Sequence, residues 1–185
     1  MKYIIVDLEA TCWKKREKGQ INEIIEIGAV AIDASGNELG EFAEFIKPKR
    51  NPILSDFCKE LTSISQAEID AAQSFPEVLK SFQDWMEIET GSYFLCSWGF
   101  YDKSQFAKDC KLHGLDDQWL KQHISVKHQY AKINALRKPC GMARALSLEG
   151  MKLEGTHHRG IDDARNISRI FKKYLSEWDF SMKQS

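Results

Sequence analysis

Near its start the chain runs an apolar stretch, Tyr3-Ile4-Ile5-Val6, directly into Asp7-Leu8-Glu9. Side chains alternate between the two faces of a β-strand, so both carboxylates share one face, about 7 Å apart along it. A buried strand gains nothing from two like charges on one side, because each costs several kcal/mol unless paired or metal-bound. A divalent cation answers that cost. Asp-x-Glu names no function by itself, and the rest of the chain must supply the partners.

The 185 residues suit one domain with a sizeable core, expected over residues 1–178, with 179–185 read as a disordered tail. Hydrophobic content of 43% and charged content of 29% are ordinary for a soluble protein. The longest apolar run, Ile24 to Ile32, is interrupted by Glu26 and falls short of a membrane span. Met1-Lys2-Tyr3 leads straight into the first strand, so no signal or transit segment is expected before it. Five scattered cysteines without a C-x-x-C pair read as free thiols in a reducing cytoplasm, not as a zinc site. Net charge is −1, unlike many strongly basic nucleic-acid binders. Basic clusters do occur in segments read as loops: Lys14-Lys15-Arg16 with Lys18, then Lys47, Lys49 and Arg50, then Arg137-Lys138. A solvated surface accounts for any one of them, so composition is neutral on partners.

Alternation predicts strands at Tyr3–Ala10, Glu23–Ala34 and Gly40–Lys47, the last two joined as a hairpin at Ser35-Gly36-Asn37. Pro48 and Pro52 end the hairpin, and the chain from there to Ala72 reads as irregular or partly helical, with a capped helix at Ser65-Gln66-Ala67-Glu68-Ile69. A helix is expected from Phe75 to Ile88, with Pro76 in its first turn. Tyr93–Trp98 reads as a fourth strand and Lys103–His113 as a helix ended by Gly114. A short strand near Ile124-Ser125-Val126 and helices at Gln129–Leu136, Gly141–Leu148 and Ile161–Trp178 complete the pattern. An opening meander followed by alternating strands and helices implies an α/β fold, a mixed five-stranded sheet with helices on both faces.

Three more positions could carry chemistry. Asp102 follows the fourth strand and stands just before a helix, where an N-cap role is the ordinary reading, helped by Gln105 three positions on. A residue at the carboxyl end of a parallel strand also stands where open sheets bind ligands. Asp162 and Asp163 open the last helix. Four and seven residues beyond Asp163 come Ile167 and Ile170, whereas Asn166 and Arg169 follow Asp162. Asp163 therefore faces the core, needs a partner and is the candidate ligand, while Asp162 faces water. In Thr156-His157-His158-Arg159-Gly160 either histidine titrates near neutrality and could take a proton from water. Four carboxylates of this kind suit Mg²⁺ or Mn²⁺, and such a cluster can hold two metals on a phosphoryl group.

Three segments, in order, carry a resemblance: Val6-Asp7-Leu8-Glu9-Ala10-Thr11, Ser97-Trp98-Gly99-Phe100-Tyr101-Asp102-Lys103-Ser104 and His158-Arg159-Gly160-Ile161-Asp162-Asp163-Ala164-Arg165-Asn166. They resemble the DEDDh family of 3′→5′ exonucleases, with its ribonuclease H-like fold, and are nearest the RNA-processing branch containing the histone-mRNA 3′-end exonuclease. Supporting similarity runs through Glu23–Val30, Leu54–Cys58 and Leu61–Gln66, so the likeness covers Tyr3 to Leu175. The resemblance implies that Asp7, Glu9, Asp102 and Asp163 hold two Mg²⁺ ions, with Mn²⁺ an alternative. It makes His158 rather than His157 the base that activates water. It also implies that backbone near Ala10 and Thr11 meets the terminal sugar, and that Phe57, Leu61 and Tyr101 pack on the terminal base. The implied activity is 3′→5′ hydrolysis of single-stranded RNA, favoured over DNA, to nucleoside 5′-monophosphates. Two rivals stand beside it, a hydrolase of dinucleotides using the same residues and a catalytically silent nucleic-acid or protein binding module.

Overall fold

The strand that carries Asp7 and Glu9 is an inner strand of the sheet. The structure, a computed structural model, describes residues 1–15 and 17–181. Arg16 of the first basic cluster and residues 182–185 of the expected tail lie outside the described residues. Strand β1 (Lys2–Ala10) pairs antiparallel with β2 (Ile24–Asp33), and β2 with β3 (Glu38–Lys47). Asp33 shapes the hairpin turn, accepting from the N–H groups of Ser35 and Asn37, while Gly36 takes φ 87°. On its other side β1 runs parallel to β5 (Tyr93–Ser97), and β5 parallel to β6 (His123–Ser125). A sixth strand, β4 (Gln73–Ser74), pairs with the far edge of β3, giving the order β4-β3-β2-β1-β5-β6. The expected five strands thus become six, because two residues are too few to show an alternation.

The segment read as irregular resolves into α1 (Asp56–Thr62) and α2 (Gln66–Ala71), the latter closed by the Ser65–Glu68 capping box that the spacing predicted. Helices α3 (Phe75–Met86), α4 (Tyr101–His113), α5 (Val126–Ile133), α6 (Met142–Leu148) and α7 (Gly160–Lys173) follow. The last helix stops at Lys173, five residues before the expected Trp178, because the chain turns back there. The Trp178 indole donates to the Phe171 carbonyl at 2.9 Å, and Phe180 stacks on Tyr3 with ring centroids 4.7 Å apart. Packed chain therefore continues past residue 178, where the sequence reading placed its end.

Each face of the sheet has its own apolar layer. Ile4, Val6 and Leu8 of β1 pack with Val78, Phe82 and Phe106 from α3 and α4. Ile5 packs on the opposite side with Ile167, Ile170 and Phe171 of α7. Burying each such side chain contributes about 1.5–3 kcal/mol, so alternation along β1 is firmly fixed. Asp7 and Glu9 continue the Ile5 face and so look toward α7. Two glycines set how closely that helix approaches: a Cβ on Gly28 would lie 2.0 Å from the carbonyl carbon of Gly160. Only glycine at 28 lets the first turn of α7 cross the rung where Asp7 faces Gly28.

Candidate active site

Strand β5 pairs with β1 only as far as Ile5, so the second half of β1 overhangs the end of its neighbour. The Leu8 N–H donates instead to Asp102 Oδ1, at 3.2 Å. Helix α4 starts at Tyr101, two residues before the expected Lys103, which places Asp102 inside the first turn and leaves Phe100 at the N-cap position. The N-cap reading of Asp102 is thereby corrected: its carboxylate leaves its own helix for the strand. Burial pushes its pKa up to about 6, opposed by bonds from backbone N–H groups and the Ser97 hydroxyl. Ser97 Oγ also lies 2.7 Å from the Gly99 carbonyl oxygen and 2.8 Å from His123 Nε2.

Carboxylate oxygens of Asp7, Glu9 and Asp163 lie within 4.8 Å of one another. Asp163 is 4% exposed and Glu9 8%, while Asp7 is half-buried. Among the described residues no Lys or Arg bonds to any of the four acids. Burial first, then the neighbouring Asp102, Glu9 and Asp163, hold the Asp7 carboxyl well above its ordinary range. Glu9 rises to about 9, from burial and then from Glu26 and Asp163. Asp7 and Glu9 thus hold their protons tightly when nothing else is bound, and the hard oxygen donors of the set match a divalent ion in place of those protons.

Asp163 points inward as its spacing predicts. Its Oδ2 accepts the His158 N–H at 3.0 Å, and His157 Nδ1 lies 3.0 Å from both oxygens. Here the side chain on the carboxylate is His157, whereas His158 contributes its backbone. The His158 ring stacks on that of His157 at 4.0 Å, with its backbone at φ 65°. A non-glycine residue held there stores about 1–3 kcal/mol of strain. Burial, then the His157 charge, depress the His158 pKa. Asp162, read as facing water, accepts the Thr156 N–H at 2.9 Å and pairs with Arg165, so it shapes the loop that carries both histidines.

The structure also adds residues that the pattern did not mark. Glu26 stands opposite Glu9 in register, 1% exposed, and accepts from Arg159 Nε and the Gly160 N–H. It anchors the turn into α7, and the interruption of an apolar run was its one signal. Glu23, also buried, gathers the N–H groups of Lys49, Arg50 and Asn51. Thr11 is 1% exposed, its N–H given to the Glu23 carbonyl and its hydroxyl accepting the Glu23 N–H. Ala10 and Thr11 thus form a closed wall beside the acids. Cys58 docks α1 on the Ala10 carbonyl, leaving Phe57 and Leu61 each 36% exposed. Tyr101 is 50% exposed, yet burial around its phenol and the nearby Asp102 and Glu9 raise its pKa to about 12.

Residues 4–171 match the exonuclease (RNase_T) family. Human 3′-5′ exoribonuclease 1 is 34% identical over 181 residues, 94% of this chain and 52% of that protein. The chain therefore spans about half the length of the first of its curated relatives. The 3′-5′ exonuclease Snipper of Drosophila melanogaster is 31% identical over 195 residues, 94% of this chain and 69% of that protein. In structure the chain is similar to the nuclease domain of 3′hExo, described as a DEDDh family member bound to rAMP. That match has a TM-score of 0.87 at 31% identity and covers 98% of this chain and 94% of the other. With the likeness running from the first strand into the last helix, and the four acids standing on its three motifs, the chain belongs to the exonuclease family, in its DEDDh group.

Proposed function

We propose that the chain is a metal-dependent 3′→5′ exonuclease that takes single-stranded RNA in preference to DNA and releases nucleoside 5′-monophosphates. The observation that carries this reading is the convergence of Asp7, Glu9 and Asp163, with no Lys or Arg partner among the described residues, beside an Asp102 bonded to the same strand. The names of the relatives, exoribonucleases among them, support RNA as the substrate. Those four acids would hold two Mg²⁺ ions, or Mn²⁺. Ions bound there supply the positive charge for activating water and stabilising the leaving oxygen. His158 takes the proton of the attacking water, its pKa depressed by burial and by His157, which favours the neutral ring that can accept it. His157 steadies Asp163. Phe57, Leu61 and Tyr101 offer apolar surface to the terminal base, and the Ala10–Thr11 wall bounds its sugar. The five cysteines, all free thiols, support a reducing cytoplasm as the compartment.

The test is incubation with 5′-labelled single-stranded RNA and matched DNA in Mg²⁺, Mn²⁺ or EDTA, with products resolved nucleotide by nucleotide. A metal-dependent ladder shortening from the 3′ end, faster on RNA, is expected. Absence of cleavage by folded protein with either metal would overturn the reading.

A further inference from the structure

The arginines of α7 and of its N-cap are spoken for. Arg159, Arg165 and Arg169 each pair with a carboxylate, at 3.2, 2.6 and 3.1 Å. Arg137, Lys138 and Arg144 differ: all three are exposed, and none makes an ion pair among the described residues. They line one groove of about 610 Å³, together with Pro139, Cys140 and Leu148, and no acidic residue lines it. In a chain with 26 basic and 27 acidic residues, three free cations in one concavity set up a local positive field that the net charge hides.

The groove is also tied to the catalytic motif. Its Cys140 carbonyl accepts the Trp98 indole N–H at 3.1 Å. The Trp98 carbonyl in turn accepts the Lys127 N–H at the start of α5. Trp98 stands four residues before Asp102, in the turn that delivers that acid to β1. The Leu136 N–H, bonded to the Ala131 carbonyl at 2.8 Å, fixes the other end of the loop. Two guanidinium groups and an ammonium group lining one groove suit phosphate oxygens, which Arg takes bidentately. Half-exposed Leu148 adds apolar surface for a sugar or an unstacked base.

We propose that this groove, between the loop after α5 and helix α6, holds the sugar-phosphate backbone of the substrate strand upstream of its 3′ end. The inference rests on the exonuclease reading, and it makes chain length a determinant of affinity.

The test compares wild type with Arg137→Ala/Lys138→Ala/Arg144→Ala, whose unchanged Tm verifies the fold. Turnover of a dinucleotide in Mg²⁺ should be unaltered, because none of the three residues lies in the acid cluster. On a strand of about 20 nucleotides, kcat/KM should fall roughly tenfold or more. Anisotropy of the same labelled strand in EDTA should show weaker binding, with the slope of log K against log salt shallower by about 2, at about 0.7 per phosphate released. Arg137→Lys/Arg144→Lys should recover most of the affinity. Equal losses on the dinucleotide and the long strand would overturn the groove assignment, as would no loss on either. Weakened binding of polyglutamate with unaltered binding of the strand would also overturn it, in favour of an acidic protein partner. A wild type that cleaves nothing would sink the exonuclease reading alone, since the anisotropy arm still judges the groove.

Discussion

Asp7 shows how far a single side chain can serve activity against stability. It lies among the carboxylates of Asp102, Glu9 and Asp163, which have no Lys or Arg partner among the described residues. Asp7→Asn should therefore abolish turnover, by at least about a thousandfold, on the scale of losing one charge-stabilising group. The same change relieves repulsion: a carboxyl whose folded pKa is raised disfavours the folded state once pH exceeds its unfolded pKa, so at neutral pH the neutral amide is the more stable. In EDTA its Tm should rise by roughly 2–8 °C, for a gain of about 1–2 kcal/mol. A lower Tm in a scanning fluorimetry experiment would show that Asp7 is structural. The two histidines separate by kinetics. His158→Ala should cost about 10²–10⁴ in kcat with binding of a 3′-end analogue little changed. His157→Ala, losing only a brace on Asp163, should cost less, and an equal loss would transfer the base to His157.

At the scale of elements, the decisive contact is between β2 and α7, where backbone meets backbone at Gly28 and Gly160. Gly28→Ala should lower stability by about 3 kcal/mol or more, because backbone atoms cannot yield as a side-chain tip can. It should also displace Asp163 and reduce activity in whatever protein remains folded. Gly99→Ala meets nothing within 4 Å and provides the control, with an expected change within about 0.5 kcal/mol by urea denaturation. Much of this level was legible in the sequence: the hairpin, the Ser65 capping box and the inward aim of Asp163 all follow from local spacing. Other features were not, because they depend on partners far along the chain. Asp102 looked like a cap until the overhang of β1 offered it the Leu8 N–H, 94 residues away in sequence. Glu26 is explained only by Arg159 and Gly160, and β4 only by an open edge on β3.

For the whole molecule, near-neutral net charge conceals a division of labour between a pocket of acids and a groove of free bases, both attached to the turn after β5. Sequence composition averages the two away, which is why it was silent about partners. The overhang of β1 has one more outcome. Leu8 belongs to an inner strand, whose amides should exchange with solvent only when the entire sheet opens. Yet its proton is held by a side chain that is itself a candidate metal ligand, while strand pairing in the same ladder reaches Ile5. In an NMR titration with Mg²⁺, the Leu8 resonance should shift and the Ile5 resonance stay in place. One amide in the core thus works as a built-in indicator of whether the pocket is charged for turnover, and identical shifts at both positions would deny it that part.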